Sequence, residues 1–207
     1  MRVLVGCEFS GRVRSAFRRA GVEAWSCDLL PAEDKSPYHI QDDLLNIITG
    51  KWDILIAFPP CTHLAGSGAR WFGSKLQEQE DAVNFVAKLL SCGIAHIAVE
   101  NPVGILSTKL RKPDQIIHPW QFGVPLEKRT CLWLKNLPKL VPTKTLPELY
   151  ARNGHIIYGR HSAVLAAADS LSQATNRSRT YKGIAAAMAA QWGHLPSLIN
   201  NYDKITI

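Results

Sequence analysis

The chain has 207 residues, enough for one domain with its own core, and its 46% hydrophobic and 20% charged residues are those of an ordinary globular protein. No run of about 18 apolar residues is present, so no membrane span is expected, and five widely spaced cysteines without a C-x-x-C pair argue against a disulfide framework or a zinc site. Lys and Arg number 24 against 17 Asp and Glu, and the net charge of +7 suits a polyanionic partner such as nucleic acid.

The opening MRVLVGCEFSG holds an apolar run too short for a signal peptide. It reads better as a buried strand over 2–6, so a cytoplasmic location and reduced thiols are expected. Phe9-Ser10-Gly11 then forms a turn into a helix over 12–20, with Val13, Ala16 and Phe17 inward, Arg14, Arg18 and Arg19 outward, and Gly21 as its stop. A second strand over 22–27 ends at Asp28. Another, DILIAF over 53–58, is broken at once by Pro59-Pro60. Ser74 and Gln77 have the spacing of a capping box for a helix reaching about residue 90, with Val83, Val86, Leu89 and Leu90 as its apolar stripe. Gly93 ends that helix, and a strand over 94–99 runs up to Glu100. From about residue 138 the periodicity weakens, and 138–178 reads as a small irregular insertion. An alanine-rich helix over 181–192 and a tail complete the chain.

Strands alternating with helices imply parallel βαβ units in an α/β, doubly wound, mostly parallel Rossmann-like sheet. Ligands on such sheets bind beyond the carboxyl ends of the strands. The unusual residues fall there: Glu8 to Gly11, Asp28, Pro59-Pro60-Cys61 and Glu100-Asn101-Pro102. At Phe9-Ser10-Gly11 a glycine permits close backbone approach and a helix start offers free N–H groups, although an ordinary turn has the same look. Asp28 is either a ribose acceptor or a cap, and Asp43 either an adenine-side acid or a cap. Two prolines aim Cys61 at the cleft floor, where a deprotonated thiol is a nucleophile. Glu100, 39 residues later, would lie beside it on an adjacent strand end and could hold a proton for a ring nitrogen. A thiol, a carboxyl and an adenosine pocket are the minimum set for methylating cytosine C5, because addition of the thiolate at C6 is what makes C5 nucleophilic.

In these residues the chain resembles the DNA cytosine-C5 methyltransferases, whose motifs are a Phe-x-Gly loop, a Pro-Cys nucleophile and a Glu-Asn pair in this order. The resemblance runs over about residues 2–192. It implies S-adenosyl-L-methionine held by Phe9, Ser10, Gly11, Asp28, Asp43 and Pro59. It also implies a catalytic set of Cys61, Glu100, Asn101 and Arg129, acting on a cytosine flipped out of DNA, with no obligate protein partner. Gly123-Val124-Pro125 through Lys128-Arg129 is similar to the stretch with the family's activating arginines. Tyr181-Lys182-Gly183-Ile184-Ala185 is similar to the motif that completes the cofactor pocket. On this reading 1–137 is the catalytic domain, 138–178 an insertion or target-recognition lobe, and 179–207 a returning helix with its tail.

The chain departs from the family pattern in four places. It lacks the second glycine of the cofactor loop, has Pro102 after Glu-Asn, offers only Lys128 and Arg129 for the paired arginines, and lacks Gly-Asn after Tyr181. A recognition region of about 40 residues implies short or relaxed specificity. A free nucleotide or RNA therefore stands as an alternative substrate, and an inactive DNA-binding methylase fold as an alternative role. His63 reads as a loop residue or a partner of the thiolate. Arg70-Trp71-Phe72 reads as a closing loop or as packing, and Arg111, Lys112, Arg177 and Arg179 as phosphate contacts or solvated surface.

Overall fold

The computed structural model describes residues 1–66, 76–124, 126–146 and 179–195. Its strands are β1 (Arg2–Gly6), β2 (Glu23–Asp28), β3 (His39–Gln41), β4 (Ile54–Ala57), β5 (His96–Pro102), β6 (Gln115–Ile117) and β7 (Thr130–Lys135). The helices are α1 (Arg12–Arg19), α2 (Leu44–Ile47), α3 (Leu76–Ser91), α4 (Leu106–Lys109) and α5 (Lys182–Trp192). The strands form one sheet in the order β3-β2-β1-β4-β5-β7-β6. β1 to β5 pair in parallel, whereas β7 runs antiparallel to both β5 and β6. The order reverses at the junction of β1 and β4, which is where an open α/β sheet forms its ligand crevice.

The central strands are apolar throughout because helices cover both of their faces. Val3, Val5, Ile54, Ile56, Leu132 and Leu134 face one core, shared with Phe17 of α1 and with Met188 and Trp192 of α5. Leu4, Leu55, Ile97, Val99 and Trp133 face the other, shared with Val83, Val86 and Leu89 of α3. The expected doubly wound, mostly parallel sheet is therefore the fold observed. No helix among the described residues is long and apolar enough to cross a membrane.

The strand expected over 2–6 is found there, the other expected strands shift by one to three residues with β5 running on to Pro102, and the short elements β3, α2, α4 and β6 were not marked by any repeating pattern. β7 has a buried apolar sequence, TCLWLK, and is inserted antiparallel between β5 and β6. Arg14 is a clear correction. It was expected outward, yet it is 1% exposed, because the loop after β2 closes over that side of α1. Its guanidinium donates to Ser26 Oγ (2.8 Å) and pairs with Asp34, so the buried charge is both bonded and neutralised. Ser74, the loop at 67–75 and most of the expected lobe (147–178) lie outside the described residues.

The start of α5 makes a close backbone contact with the segment that follows β6. A Cβ on Gly183 would lie 1.9 Å from the Phe122 carbonyl oxygen, which is backbone and cannot swing aside. Alanine gains about 1 kcal/mol of helix propensity, but overpacking costs about 1–3 kcal/mol and a backbone clash sits at the upper end of that range. Gly183→Ala should lower the thermal midpoint by a few degrees, read by calorimetry, and an unchanged or raised midpoint would show that α5 can move away.

Candidate active site

One transverse row of the sheet sets the geometry. Cys27, Gly6, Ala57, Val99 and Trp133 are successive neighbours across β2, β1, β4, β5 and β7. β1 and β4 end at this row, β2 ends one residue past it, and β5 continues to Pro102 against β7, so Asp28, Glu8, the Phe58-to-Cys61 loop and Glu100 lie along one edge. β7 enters from the same edge because it runs the other way.

The loop bearing Cys61 is fixed against β5 at several points. Asn101, 1% exposed, donates from Nδ2 to the Pro59 carbonyl at 2.9 Å. The backbone of Leu64 and Ala65 folds back onto the Cys61 carbonyl (3.0 and 2.9 Å). Ala65 then bridges Gly104, with Gly66 N donating to Val103 O and Ile105 N to Leu64 O. The loop that carries the thiol is thereby fixed against β5, whose Glu100 charge acts on Cys61. Asn101 and Pro59 act here as a brace, which is a different role from the expected base pocket for Asn101 and cofactor contact for Pro59.

Glu100 opens into a cleft lined by Phe58, Lys128, Thr130, Arg179, Tyr181 and Ile184. Burial raises its carboxyl above the usual carboxylate range, and the Lys128 charge acts in the opposite direction. Cys61 is exposed at the rim. Its inner side is nonetheless desolvated, and burial, followed by the Glu100 charge, raises the thiol while Lys128 lowers it. One cation therefore acts on both groups. Lys128 Nζ also stands 5.8 Å from the centroid of the Tyr181 ring, whose phenol is raised by burial and by Glu100.

The cation expected at this point was Arg129. The structure instead leaves Arg129 exposed, with its charge acting on Cys131 and His118. Strand alternation explains the exchange. Thr130, Leu132 and Leu134 share a face, so Lys128 is in phase with the Glu100 cleft and Arg129 is not. Counting back from the apolar run of β7 would have found it. Tyr181, expected on the cofactor side, lines the Glu100 cleft as well.

The other half of the edge is acidic. The chain turns at Cys7 with a left-handed backbone (φ 55), and Glu8 passes beneath the start of α1. Glu8, 4% exposed, accepts from Val13 N at 2.6 Å and Arg14 N at 3.2 Å. Arg12 N reaches Ser10 Oγ at 3.5 Å. The expected free N–H groups at the helix start are thus already engaged, and Glu8 is the residue whose role the sequence reading did not foresee. Gly11 has φ 65, and a Cβ there would lie 2.1 Å from an Arg14 nitrogen, so the position requires glycine. Burial pushes Glu8 up to about 7 against the pull of its two backbone donors.

Asp28 accepts from Leu30 N (2.9 Å) and Asp43 from Leu45 N (2.9 Å), so each serves as a cap in this structure. Both charges still reach Cys7, whose thiol burial, Asp28, Cys27 and Asp43 together push up to about 12. Phe9 is half-buried at the turn, and its carbonyl accepts from Glu33 N. The remaining candidates have structural partners. The His63 carbonyl accepts from Gln79. Arg111 binds Asp114 and the Leu134 carbonyl, and Arg179 pairs with Glu33. Arg70, Trp71, Phe72 and Arg177 lie outside the described residues.

No protein-family profile and no curated protein matches the chain in sequence. Solved structures match it in shape. The Entamoeba histolytica methyltransferase EhMeth superposes with a TM-score of 0.51 at 15% identity, over 70% of this chain and 57% of that one. A candidate DNA modification methyltransferase encoded within an E. coli prophage gives 0.48 at 18% identity, over 72% of this chain and 52% of that one. The S. pombe Dnmt2 methyltransferase gives 0.44 at 16%, over 67% and 51%. The sheet is Rossmann-like, the fold that it shares with EhMeth. The chain spans only about half the length of these neighbours.

Two outcomes follow from the electrostatics. Lys128→Met should move the alkylation of Cys61 by iodoacetamide to higher pH, followed by peptide mass spectrometry, while Arg129→Met should leave the profile in place. For Glu8, the folded value of about 7 lies above the 4.5 of a free side chain. The folded state then keeps a proton that the unfolded state releases, so this contribution to stability is present below pH 4.5 and is lost as pH rises through 7. At about 1.4 kcal/mol per unit the loss is of order 3 kcal/mol, and denaturant melts of Glu8→Gln should lack that part of the slope.

Proposed function

We propose that the chain is an S-adenosylmethionine-dependent methyltransferase that acts on C5 of cytosine, with DNA as the substrate its positive charge favours. The observation that carries this reading is the pairing of a rim thiol, Cys61, with a desolvated carboxyl, Glu100, braced together by Asn101 across adjacent strand ends. A carboxyl whose burial favours its protonated form, next to a nucleophile, is the pair that cytosine activation requires.

The residues present suit the methyl donor. The ends of β1 and β2 and the start of α2 carry Glu8, Asp28, Asp42 and Asp43, a set of acids matched to a sulfonium cation. Phe9 to Gly11, Asp28 and Asp43 would hold it. When bound it supplies an electrophilic methyl group.

The chain's own residues do the rest. Cys61, deprotonated, forms a bond to C6 of the base while Glu100 places a proton on N3, and the electrons of the ring collect at C5. Lys128 stabilises the thiolate before attack and the carboxylate that Glu100 leaves behind. Once C5 carries the methyl group, a base takes the C5 proton, the C6–S bond breaks, Cys61 departs as thiolate, and N3 returns its proton to Glu100. Tyr181 and Phe58 wall the cleft in which the base would lie.

A free nucleotide or RNA is the alternative substrate class, with the chemistry unchanged. A covalent trap distinguishes the substrates. Duplex DNA, RNA and dCMP carrying 5-fluorocytosine are each incubated with labelled donor and protein. An adduct mapping to Cys61 with DNA alone is expected, and Cys61→Ser should form none and lose turnover by several orders of magnitude. An adduct only with RNA or dCMP would replace the substrate. Full turnover by Cys61→Ser would remove the mechanism.

A further inference from the structure

Every backbone donor in the first turn of α1 has an internal partner. Arg12 N reaches Ser10 Oγ, Val13 N and Arg14 N reach the two oxygens of Glu8, and Ser15 N reaches the Gly11 carbonyl. In dinucleotide-binding sheets this same turn, directly after the first strand, is the seat of a pyrophosphate, whose oxygens take those N–H groups and the positive end of the helix dipole. Here a side-chain carboxylate from the chain itself sits in the seat. Glu8 is 4% exposed, and it is held in place from both directions, by its backbone N–H on the Cys27 carbonyl (3.2 Å) and by the Ser10 hydroxyl on its Oε1 (3.5 Å).

We infer that Glu8 is a specificity-determining residue that closes this turn to phosphates, so that the adenosyl ligand it accepts is one with a sulfonium or thioether in place of the 5′-phosphate. A phosphate brought to this edge would find no free donor among those four and would face a buried negative charge. The charges around it point the same way. Asp28 and Asp43 both act on Cys7 one residue away, so the local potential is negative and favours a cationic ligand. Glu8 also takes the place of the external anion that the second glycine of a fingerprint loop would admit. A tight glycine turn opens helix N–H groups to an external anion, whereas Arg12-Val13 is tolerated here because the anion is internal and needs no approach path.

The inference rests on reading the β1–α1 turn as the cofactor seat, and calorimetric titration at pH 8 separates the two claims. S-adenosylhomocysteine and ADP share the adenosine moiety and differ at the 5′ substituent. The wild-type protein should bind the former, with ADP roughly 100-fold weaker or undetectable, as expected when two charge-assisted hydrogen bonds cannot form. Glu8→Ala frees two donors and removes the charge, and should strengthen ADP binding about tenfold while changing S-adenosylhomocysteine binding less. Wild-type affinity for ADP within tenfold of that for S-adenosylhomocysteine would overturn the inference and leave the cofactor seat intact. Failure of both ligands to bind would overturn the seat and the inference with it. Should Glu8→Ala not fold by circular dichroism, the wild-type comparison decides alone.

Discussion

The parallel register of β1, β4 and β5 is the constraint on which the rest of the molecule depends. Because Gly6, Ala57 and Val99 lie in one row, the loops after β1 and β4 leave the sheet at the height of Glu100, the residue that follows Val99 within β5. A slip of one residue in β4 would turn Phe58 from the α1–α5 face to the α3 face and carry Cys61 away from Glu100. The hydrophobic pattern forbids it. Ile54 and Ile56 fill one core while Leu55 and Ala57 fill the other, so packing on both faces fixes the register that the site needs.

Within that frame the edge divides into two electrostatic halves. Around β1 and β2 the groups are acids, each already capping or bracing backbone. Around β4, β5 and β7 a thiol and a carboxyl, both costly to ionise, share Lys128. The two groups must stand in opposite protonation states to work together, and a cation that acts on both lowers the cost of charge on whichever holds it. Its control is only partial, since burial remains the leading influence on both.

The broad outline was legible because the strongest signals are local. Apolar runs ending in Asp28, Pro59-Pro60 and Glu100 marked the strands, and the alternation of strand and helix marked the parallel sheet. The pairing of Cys61 with Glu100 followed from strand ends alone. What stayed hidden depends on contacts distant in sequence. Arg14 reads as one more surface charge on an amphipathic helix until Ser26 and Asp34 are brought to it. β7 shows only an apolar hexamer, and nothing local says that it inserts antiparallel. The exchange of Arg129 for Lys128 follows from that insertion. Glu8 lay within a segment already marked, but its function depends on a side chain folding back under the following helix, which no spacing rule encodes.

The contacts between the two ends of the chain have a consequence for how the protein forms. Arg12 donates to the Thr180 carbonyl across 168 positions, Arg179 pairs with Glu33, and α5 packs on α1. The first helix emerges early in synthesis, yet the partners that bury its apolar stripe are among the last described residues to be made. Closing so long a span is slow, and Val13 and Phe17 must wait with their apolar surface uncovered. The stretch that completes the edge also completes the core on the α1 face, so a nascent chain would close that core and the Tyr181 wall of the candidate site in the same late step.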